Sequence, residues 1–591
     1  MSDYKAPIAD MLFVATKLAG LSAIAATPKH SEANEELVAT IFEEGGKFAA
    51  GVLAPLNRVG DKEGSNLING VVKTPPGWRE AYRQFVDGGW NAVPFDPDYG
   101  GQGLPQLVAT ALQDMWHSSN MAFALCPMLT QAAVEALSKY GTAEQKEKYL
   151  SKLVSGEWTG TMNLTEPQAG SDLARIRTKA VREGDHYRIT GQKIFITYGD
   201  HDLTENIIAM VLARTPDAPE GVKGISLFIV PKFLVKDDGT PGKRNDLRCV
   251  SLEEKLGIHA SPTAVMSYGD HDGAIGYLVG EENKGLAYMF TMMNNARLSV
   301  GLEGVALCER AYQKAASFAR ERVQSRAIKG DDPAPVAIVR HPDIRRMLMT
   351  MRALAEAGRA LAYYVAGKID LARAGDEAAQ ARVDLLIPVV KGWCTENGSE
   401  AAWNGVQVHG GMGYIEETGA AQFMRDAKIA EIYEGTNGIQ ANDLIGRKLA
   451  RDAGAEAKAM IAEMRSLDGA LADAGADVAR LRAAFTKGLA SLERATDWLL
   501  EAHARDADDA AGGAMPYLRL WGVVAGGWMM ARAALAATEA LDAGEGDPGF
   551  MRAKIATARV FGERILPRAY SYEVEATAGA ASLIAIADDA L

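Results

Sequence analysis

Apolar and polar positions change period along this chain, and each period points to a different kind of element. From residue 35 to about 155 the apolar residues recur every three to four positions, with Leu37, Ile41, Phe42 and Phe48 opening the stretch. That spacing lines one face of a helix. Turn-rich pieces interrupt it at Lys73-Thr-Pro-Pro-Gly-Trp78 and Phe95-Asp-Pro-Asp-Tyr-Gly-Gly-Gln-Gly103. At about Gly156 the texture changes to short β-rich runs at 158–164, 186–190, 193–197, 207–214, 225–230 and 264–268. Turn signals such as Glu183-Gly-Asp, Thr190-Gly and Asp238-Gly separate them, which predicts a small, mostly antiparallel β domain ending near Glu282. Helical patterns return from Gly285, notably over 297–324 and 342–374. A further helix is expected up to Tyr433, with Met424, Ala427, Ile429 and Ile432 on its apolar face. Glu434-Gly-Thr-Asn-Gly438 breaks it with two glycines, and a helical pattern resumes over 439–449.

Beyond 451 an alanine-rich tail stays helical. Val478, Leu481, Phe485, Leu489, Leu492 and Leu499 recur at spacings of three, four or seven and form one stripe for burial. A second helix is expected over 515–541, with Trp521 and Trp528 in its core. The fold class is therefore α+β and mostly α. Its expected parts are a leader (1–34), an N-terminal helical domain (35–155), a β domain (156–282), a helical bundle (283–451) and a C-terminal helical extension (452–591).

Composition narrows the class of function. With 591 residues, 48% of them hydrophobic, the chain buries several cores. A net charge of -13 and the acids in the tail (Asp506-Ala-Asp-Asp-Ala510, Asp588-Asp589) argue against a nucleic-acid partner. Four scattered cysteines without a CxxC pair fit reduced thiols and a cytoplasmic setting better than a disulfide framework. The apolar stretch 11–27 is preceded by Asp3 and Asp10 and interrupted by Lys17, as in an amphipathic helix. No uninterrupted apolar run approaches the length of a membrane span, so no membrane partner is expected. Tyr-Gly-Asp-His-Asp occurs at 198–202 and 268–272. Both copies read as strand-end turns rather than metal sites, because adjacent side chains in one turn point apart.

Two stretches could carry chemistry. A carboxylate at Glu434, set between glycine-rich turns, could be held rigidly toward a cleft; by spacing alone it is equally an exposed residue at a helix end. Asn163-Leu-Thr-Glu-Pro-Gln-Ala-Gly-Ser-Asp172 packs hydroxyls, carboxylates and a glycine into one turn at a strand end, enough donors for a polar ligand edge. No GxGxxG follows a strand and opens a helix, and no GxxxxGK[ST] is present.

Several separate motifs resemble the acyl-CoA dehydrogenase family, in family order, over roughly 35–450. Pro97-Asp-Tyr-Gly-Gly101 resembles a loop of its first domain. The stretch 165–172 matches its Thr-Glu-Pro-x-Ala-Gly-Ser-Asp signature at every fixed position. Lys193-Ile-Phe-Ile-Thr197 resembles its Lys-x-Trp-Ile-Thr strand with Phe195 in place of Trp, which keeps apolar area and loses an N–H. Glu321-Arg-Val-Gln-Ser-Arg326 resembles Glu-Arg-x-Gln-Phe-Gly, departing at Ser325-Arg326; Gln407 to Tyr414 resembles its Gln-x-x-Gly-Gly-x-Gly-Tyr turn. Arg425-Asp-Ala-Lys428 with Tyr433-Glu-Gly-Thr436 resembles its catalytic segment, although Gly438 stands where many relatives carry a polar residue.

The resemblance implies FAD as cofactor. Leu164, Thr165, Phe195 and Thr197 would lie at the flavin ring, Arg322, Gln407 and Gly411 at the diphosphate, and Ser325 and Thr436 also on the cofactor side. It implies Ser171, Arg297, Tyr433 and Gly435 on the substrate side. Glu434 becomes the base that takes the α-proton of an acyl-CoA thioester, with the β-hydride passing to the flavin. An electron-transfer flavoprotein as acceptor and a homodimer or larger assembly are implied as partners. His409 reads as structural. The leader and the long extension resemble a bacterial branch of the family, which sets the expected substrate as 3-methylmercaptopropionyl-CoA, from dimethylsulfoniopropionate breakdown, or another short- or medium-chain acyl-CoA. An acyl-CoA oxidase using O₂ and a DNA-binding relative are the alternatives.

Overall fold

The computed structural model describes residues 4–330 and 333–591, which pack into two compact units. Asp3 lies outside the described residues. One unit takes 45–104 and 115–296; the other takes 4–44, 105–114 and 297–591.

The helical part of the first unit closes around aromatic rings. Trp116 meets Phe48 at 5.5 Å and Phe85 at 5.9 Å, both edge to face, an arrangement that sets the positive ring edge against a negative face. Its sheet has eight strands: β1 (Thr159–Asn163), β2 (Lys179–Glu183), β3 (His186–Thr197), β4 (Ile207–Ala213), β5 (Ser226–Pro231), β6 (Leu247–Leu252), β7 (Thr263–Tyr268) and β8 (Ala274–Leu278). Their order is β6-β7-β3-β8-β5-β4-β1, with β2 also on β3. All pairs are antiparallel except β1 with β4.

The sequence pattern predicts two strands divided at Thr190-Gly191, whereas β3 is continuous. Gly191 is a point of close approach, not a turn: a Cβ there would lie 2.5 Å from Thr178 Oγ1. One half of β3 pairs with β7 and the other with β8 and β2. Strands β2, β6 and β8 are absent from the sequence reading, and β2 and β6 carry too many charged or polar residues to show a clean apolar run.

In the second unit the long helices are α2 (Gly285–Glu321, the part from Arg297 on), α3 (Pro342–Arg373), α4 (Glu377–His409), α6 (Ala476–Arg505), α7 (Ala514–Ala543) and α8 (Pro548–Arg564); α1 (Gln106–Tyr140) precedes them and α5 (Asn437–Asp443) belongs to the site below. The stripe from Val478 to Leu499 is buried along α6, and so are Trp521 and Trp528 on α7. Trp393 of α4 sits so close to α7 that a Cβ on Gly522 would meet its ring at 2.1 Å. By length and composition α1 and α7 could each cross a membrane, although no uninterrupted apolar run suggested it; both lie mostly buried in the protein.

The leader is held in this unit by charge. Arg359, fully buried, donates to Asp10 (2.8 Å), Asp114 (2.8 Å) and Glu309 (3.0 Å). Lys554 donates to Asp10 (2.6 Å) and Glu356 (2.7 Å). Five separate segments thus meet at two buried cations.

Candidate active site

The chain around Glu434 departs from the expected helix. The helix Ala420–Ala427 tightens into a single turn over Lys428–Glu431 and then stops. Tightening rotates the residues after it, so that Ile432 (49% exposed) faces out; Met424 (38% exposed), before the turn, is also outside the expected apolar face, whereas Ala427 is buried as expected, with Phe423 and Ala430. Tyr433 instead turns inward, and its hydroxyl donates to Glu303 Oε2 of α2 at 2.5 Å. Glu434 follows with φ 57° and Gly435 with φ 82°. The left-handed region costs a residue with a Cβ about 1–2 kcal/mol, so surrounding bonds must hold Glu434 there. Gln440 of α5 does so, its Nε2 donating to the Glu434 carbonyl (3.1 Å) and the Gly435 carbonyl (3.3 Å). A Cβ on Gly435 would sit 2.8 Å from that nitrogen.

Thr436 caps α5, its Oγ1 accepting from Ile439 N at 3.2 Å. Asn437 ties the loop to α4: Lys391 Nζ donates to its Oδ1 (2.9 Å), and its Nδ2 donates to Thr395 Oγ1 (3.1 Å). The Glu434 N–H donates to no group among the described residues.

Two cations act on the Glu434 carboxyl. Burial raises it to about 7, against the pull of Arg297 and Lys391. Arg297, on α2, is buried and donates to Asp443 Oδ2 at 3.2 Å. Burial lowers the Lys391 ammonium to about 8, with Glu303 and Glu434 opposing. The site is therefore a poised carboxylate with no metal cluster beside it among the described residues. Lys391, Asn437, Gln440 and Glu303 are not found by motif. Two of them leave a legible trace, a single charge inside an apolar run: Lys391 in Leu385-Leu-Ile-Pro-Val-Val-Lys-Gly-Trp393 and Glu303 in Val300-Gly-Leu-Glu-Gly-Val305.

In the first unit the turn at 163–172 is locked from below. Buried Lys193 donates to the Leu164 carbonyl (2.9 Å) and to Glu166 Oε1 (2.8 Å). Glu166 also accepts from Thr178 Oγ1 (2.6 Å) and Arg177 N (2.6 Å). Burial pushes the Glu166 carboxyl up, but Lys193 and these donors prevail and bring it to about 2. Replacing Lys193 by methionine strands that carboxylate and should cost about 3–5 kcal/mol, the usual penalty for halving a buried pair. Thermal unfolding and retained flavin absorbance, both expected to fall, check this.

Above this support, Thr165 accepts from Ile194 N through its carbonyl at 2.9 Å. Phe195 has φ 58° and is 59% exposed, unusual for a large apolar side chain in a strand. The hydroxyls of Thr165 and Thr197 have no partner among the described residues. Ser171 is exposed nearby in sequence. An exposed ring beside free hydroxyls suits a flat heteroaromatic ligand with a polar edge, so these residues fit a flavin.

The remaining candidates are on exposed segments of the second unit. The helix expected through 324 ends at Glu321, because Val323–Arg326 forms a short strand with Pro335–Ala337. Arg322 is exposed just past that end, and Ser325 is exposed with φ 59°. Gln407 is exposed on α4, and Gly411 has open space around it. His409 donates from Nδ1 to the Gly405 carbonyl (2.7 Å) and stacks on Phe318, a structural role.

Comparison with known proteins gives this arrangement its class. Models of the acyl-CoA dehydrogenase N-terminal, middle and C-terminal domains match residues 42–157, 161–270 and 283–449, and an acetyl-CoA dehydrogenase C-terminal-like model matches 455–587. The chain belongs to the acyl-CoA dehydrogenase family, enzymes that dehydrogenate acyl-CoA thioesters with FAD.

Among its relatives, 3-methylmercaptopropionyl-CoA dehydrogenase of Ruegeria pomeroyi is 50% identical over 568 residues, covering 95% of this chain and 96% of that one. The broad-specificity linear acyl-CoA dehydrogenase FadE5 of Mycobacterium tuberculosis is 35% identical, covering 96% of each. The solved acyl-CoA dehydrogenase of Bacillus anthracis complexed with FAD superposes with a TM-score of 0.73 at 21% identity, over 95% of this chain and 90% of that one, a likeness of fold.

Proposed function

We propose that this enzyme dehydrogenates a short acyl-CoA thioester, with 3-methylmercaptopropionyl-CoA as its substrate, and that Glu434 is the base. The observation that supports the base is the strained backbone at Glu434, fixed by Gln440 and flanked by Arg297 and Lys391. The relative at 50% identity, spanning nearly the whole chain, supports the substrate.

In this reading the Glu434 carboxylate takes the α-proton of the thioester, and its own N–H donates to the thioester carbonyl as charge builds there. Gly435 leaves room for the thioester to approach. Arg297 favours the ionised carboxylate against burial, with Ser171 and Tyr433 on the substrate side. Bound FAD supplies the acceptor for the β-hydride. Leu164, Thr165, Phe195 and Thr197 would hold its ring, Arg322, Gln407 and Gly411 its diphosphate, and Ser325 and Thr436 further cofactor atoms. The exposed apolar residues Trp403, Met412, Tyr414 and Ile415, near Gln407 in sequence, support a homo-oligomer in which they are covered. An electron-transfer flavoprotein is the proposed acceptor. Four buried, free cysteines support a cytoplasmic setting.

The test is anaerobic mixing of the flavin-loaded protein with 3-methylmercaptopropionyl-CoA or butyryl-CoA while flavin absorbance is followed. Bleaching with both, fastest with the thioether, is expected. Failure to bleach with these and with longer acyl-CoAs would overturn the reading. Rapid reoxidation by O₂ instead of an electron-transfer flavoprotein would make it an oxidase. Because the base must be ionised, the bleaching rate should rise as pH passes through about 7, where Glu434 titrates. A rate flat from pH 5 to 8 would contradict this.

A further inference from the structure

Close behind the catalytic loop lies a second carboxyl that the reaction as described does not use. Glu303 of α2 is fully buried. Its Oε2 accepts the Tyr433 hydroxyl at 2.5 Å, one residue from Glu434, while its Oε1 is buried with no hydrogen-bond partner. Among the described residues no cation lies within ion-pair distance of it. An ionised carboxylate with one oxygen unpaired in a dry interior costs far more than the neutral acid.

We infer that Glu303 is a positioning residue for the catalytic base: as a neutral acid it anchors the Glu434 loop through the Tyr433 hydroxyl and leaves the pocket with a single carboxylate charge. This rests on Glu434 being the base.

The groups facing the pair come from four segments. Arg297 lies on α2, bonded to Asp443, which also holds Arg447. Lys391 reaches in from α4, with its ammonium on Asn437. The 426–434 segment brings Tyr433, Glu434, Glu431 (bonded to Ser399 and Lys428) and Asp426. Burial raises the Glu303 carboxyl to about 8, Tyr433 and Lys391 pull it down, and the Glu434 charge pushes it up. Burial raises Glu434 less far, to about 7, with Arg297 and Lys391 opposing. Between these values the pocket holds one carboxylate and one carboxylic acid. Above the higher value Glu303 also ionises, and a second negative charge behind the Glu434 loop opposes the charge that builds on the thioester carbonyl.

The experiment compares flavin bleaching by saturating acyl-CoA from pH 6 to 9.5 in the wild type, Glu303→Gln, Glu303→Leu and, as control, Glu434→Gln. The wild type should lose rate above about pH 8. Glu303→Gln mimics the neutral acid, so it should keep most of the rate near pH 7 and lose the alkaline fall. Glu303→Leu leaves the Tyr433 hydroxyl unpaired and should slow bleaching about tenfold at every pH.

The inference is overturned if Glu303→Gln keeps the wild-type alkaline fall, which would assign that step to Lys391. It is equally overturned if Glu303→Gln is as slow as Glu303→Leu near pH 7. Should Glu303→Gln not fold, Tyr433→Phe tests the link: about tenfold slower bleaching at unchanged flavin content is expected, and an unchanged rate overturns it. Either failure leaves the Glu434 reading standing so long as Glu434→Gln is inactive.

Discussion

Replacing Glu434 by glutamine is expected to lower the rate of flavin bleaching by an acyl-CoA by about 10²–10⁴-fold, the usual contribution of a positioned general base. The loss should appear in kcat and not in binding. Glutamine keeps the side chain's length, and the main-chain grip of Gln440 on the Glu434 and Gly435 carbonyls does not depend on the side chain. The variant should therefore still hold flavin and still bind thioester, seen as a spectral perturbation without bleaching. The glutamine amide is also neutral at every pH, so whatever activity remains should lose its rise through about pH 7. A variant with wild-type bleaching would remove Glu434 from the chemistry. One that binds neither flavin nor thioester would mean that the loop, rather than the base, had been damaged.

Replacing Arg359 by leucine is expected to be the most damaging change to stability. Leucine fills part of the space but leaves Asp114 and Glu309 without their guanidinium, and Asp10 with Lys554 alone. Removing one partner of a buried ionic cluster costs about 3–5 kcal/mol, because the remaining charges stay desolvated. Thermal unfolding should show a midpoint several degrees lower, and an unchanged midpoint would mean that solvent reaches the cluster.

The pH dependence follows from Asp10. Burial pushes its carboxyl up, but Lys554 and Arg359 prevail and hold it below its ordinary value. A carboxyl depressed in the folded state contributes stability that is present above its unfolded pKa of about 3.9 and is lost as pH falls through the folded value. With Arg359 gone the depression shrinks, so the variant should begin acid unfolding at a higher pH than the wild type.

Much of the architecture was legible because its signals are local. The stripe from Val478 to Leu499 and the tryptophans at 521 and 528 announce buried helices, and all are buried. The β-rich runs announce the sheet. The division of β3 at Thr190-Gly191 misleads because glycine serves two purposes that sequence does not separate, turning a chain and letting a neighbour approach; here Thr178 is the neighbour. The 424–433 stretch misleads for another reason. A helical pattern assumes 3.6 residues per turn, and the tighter turn at Lys428–Glu431 moves Ile432 to the surface and Tyr433 inward.

Around Glu434 the motif supplied the central residue, and its support came partly from nearby side chains whose direction no motif gives and partly from residues far off in sequence. Gln440 and Asn437 act on main chain or on each other's neighbours, Lys391 stands 43 positions before Glu434 (434 less 391), and Glu303 acts through Tyr433. Only tertiary packing brings such groups together, and no spacing rule reaches across it.

The two buried cations also bear on how the chain comes to be made. Asp10 and its ammonium partner Lys554 are separated by 544 positions, nearly the whole length of the polypeptide. During synthesis the leader, α2 and α3 leave the ribosome long before α8 does, so Asp10 and Glu356 have no lysine to meet until the last helices are released. Until α8 is released, Asp10 has only Arg359 and Glu356 only Arg352 as cationic partner among the described residues, and the carboxylate oxygens that Lys554 later takes are left to water. A chain cut before α8 would retain the catalytic loop yet lack the ammonium that Asp10 and Glu356 share. The closing of this interior thus waits on α8.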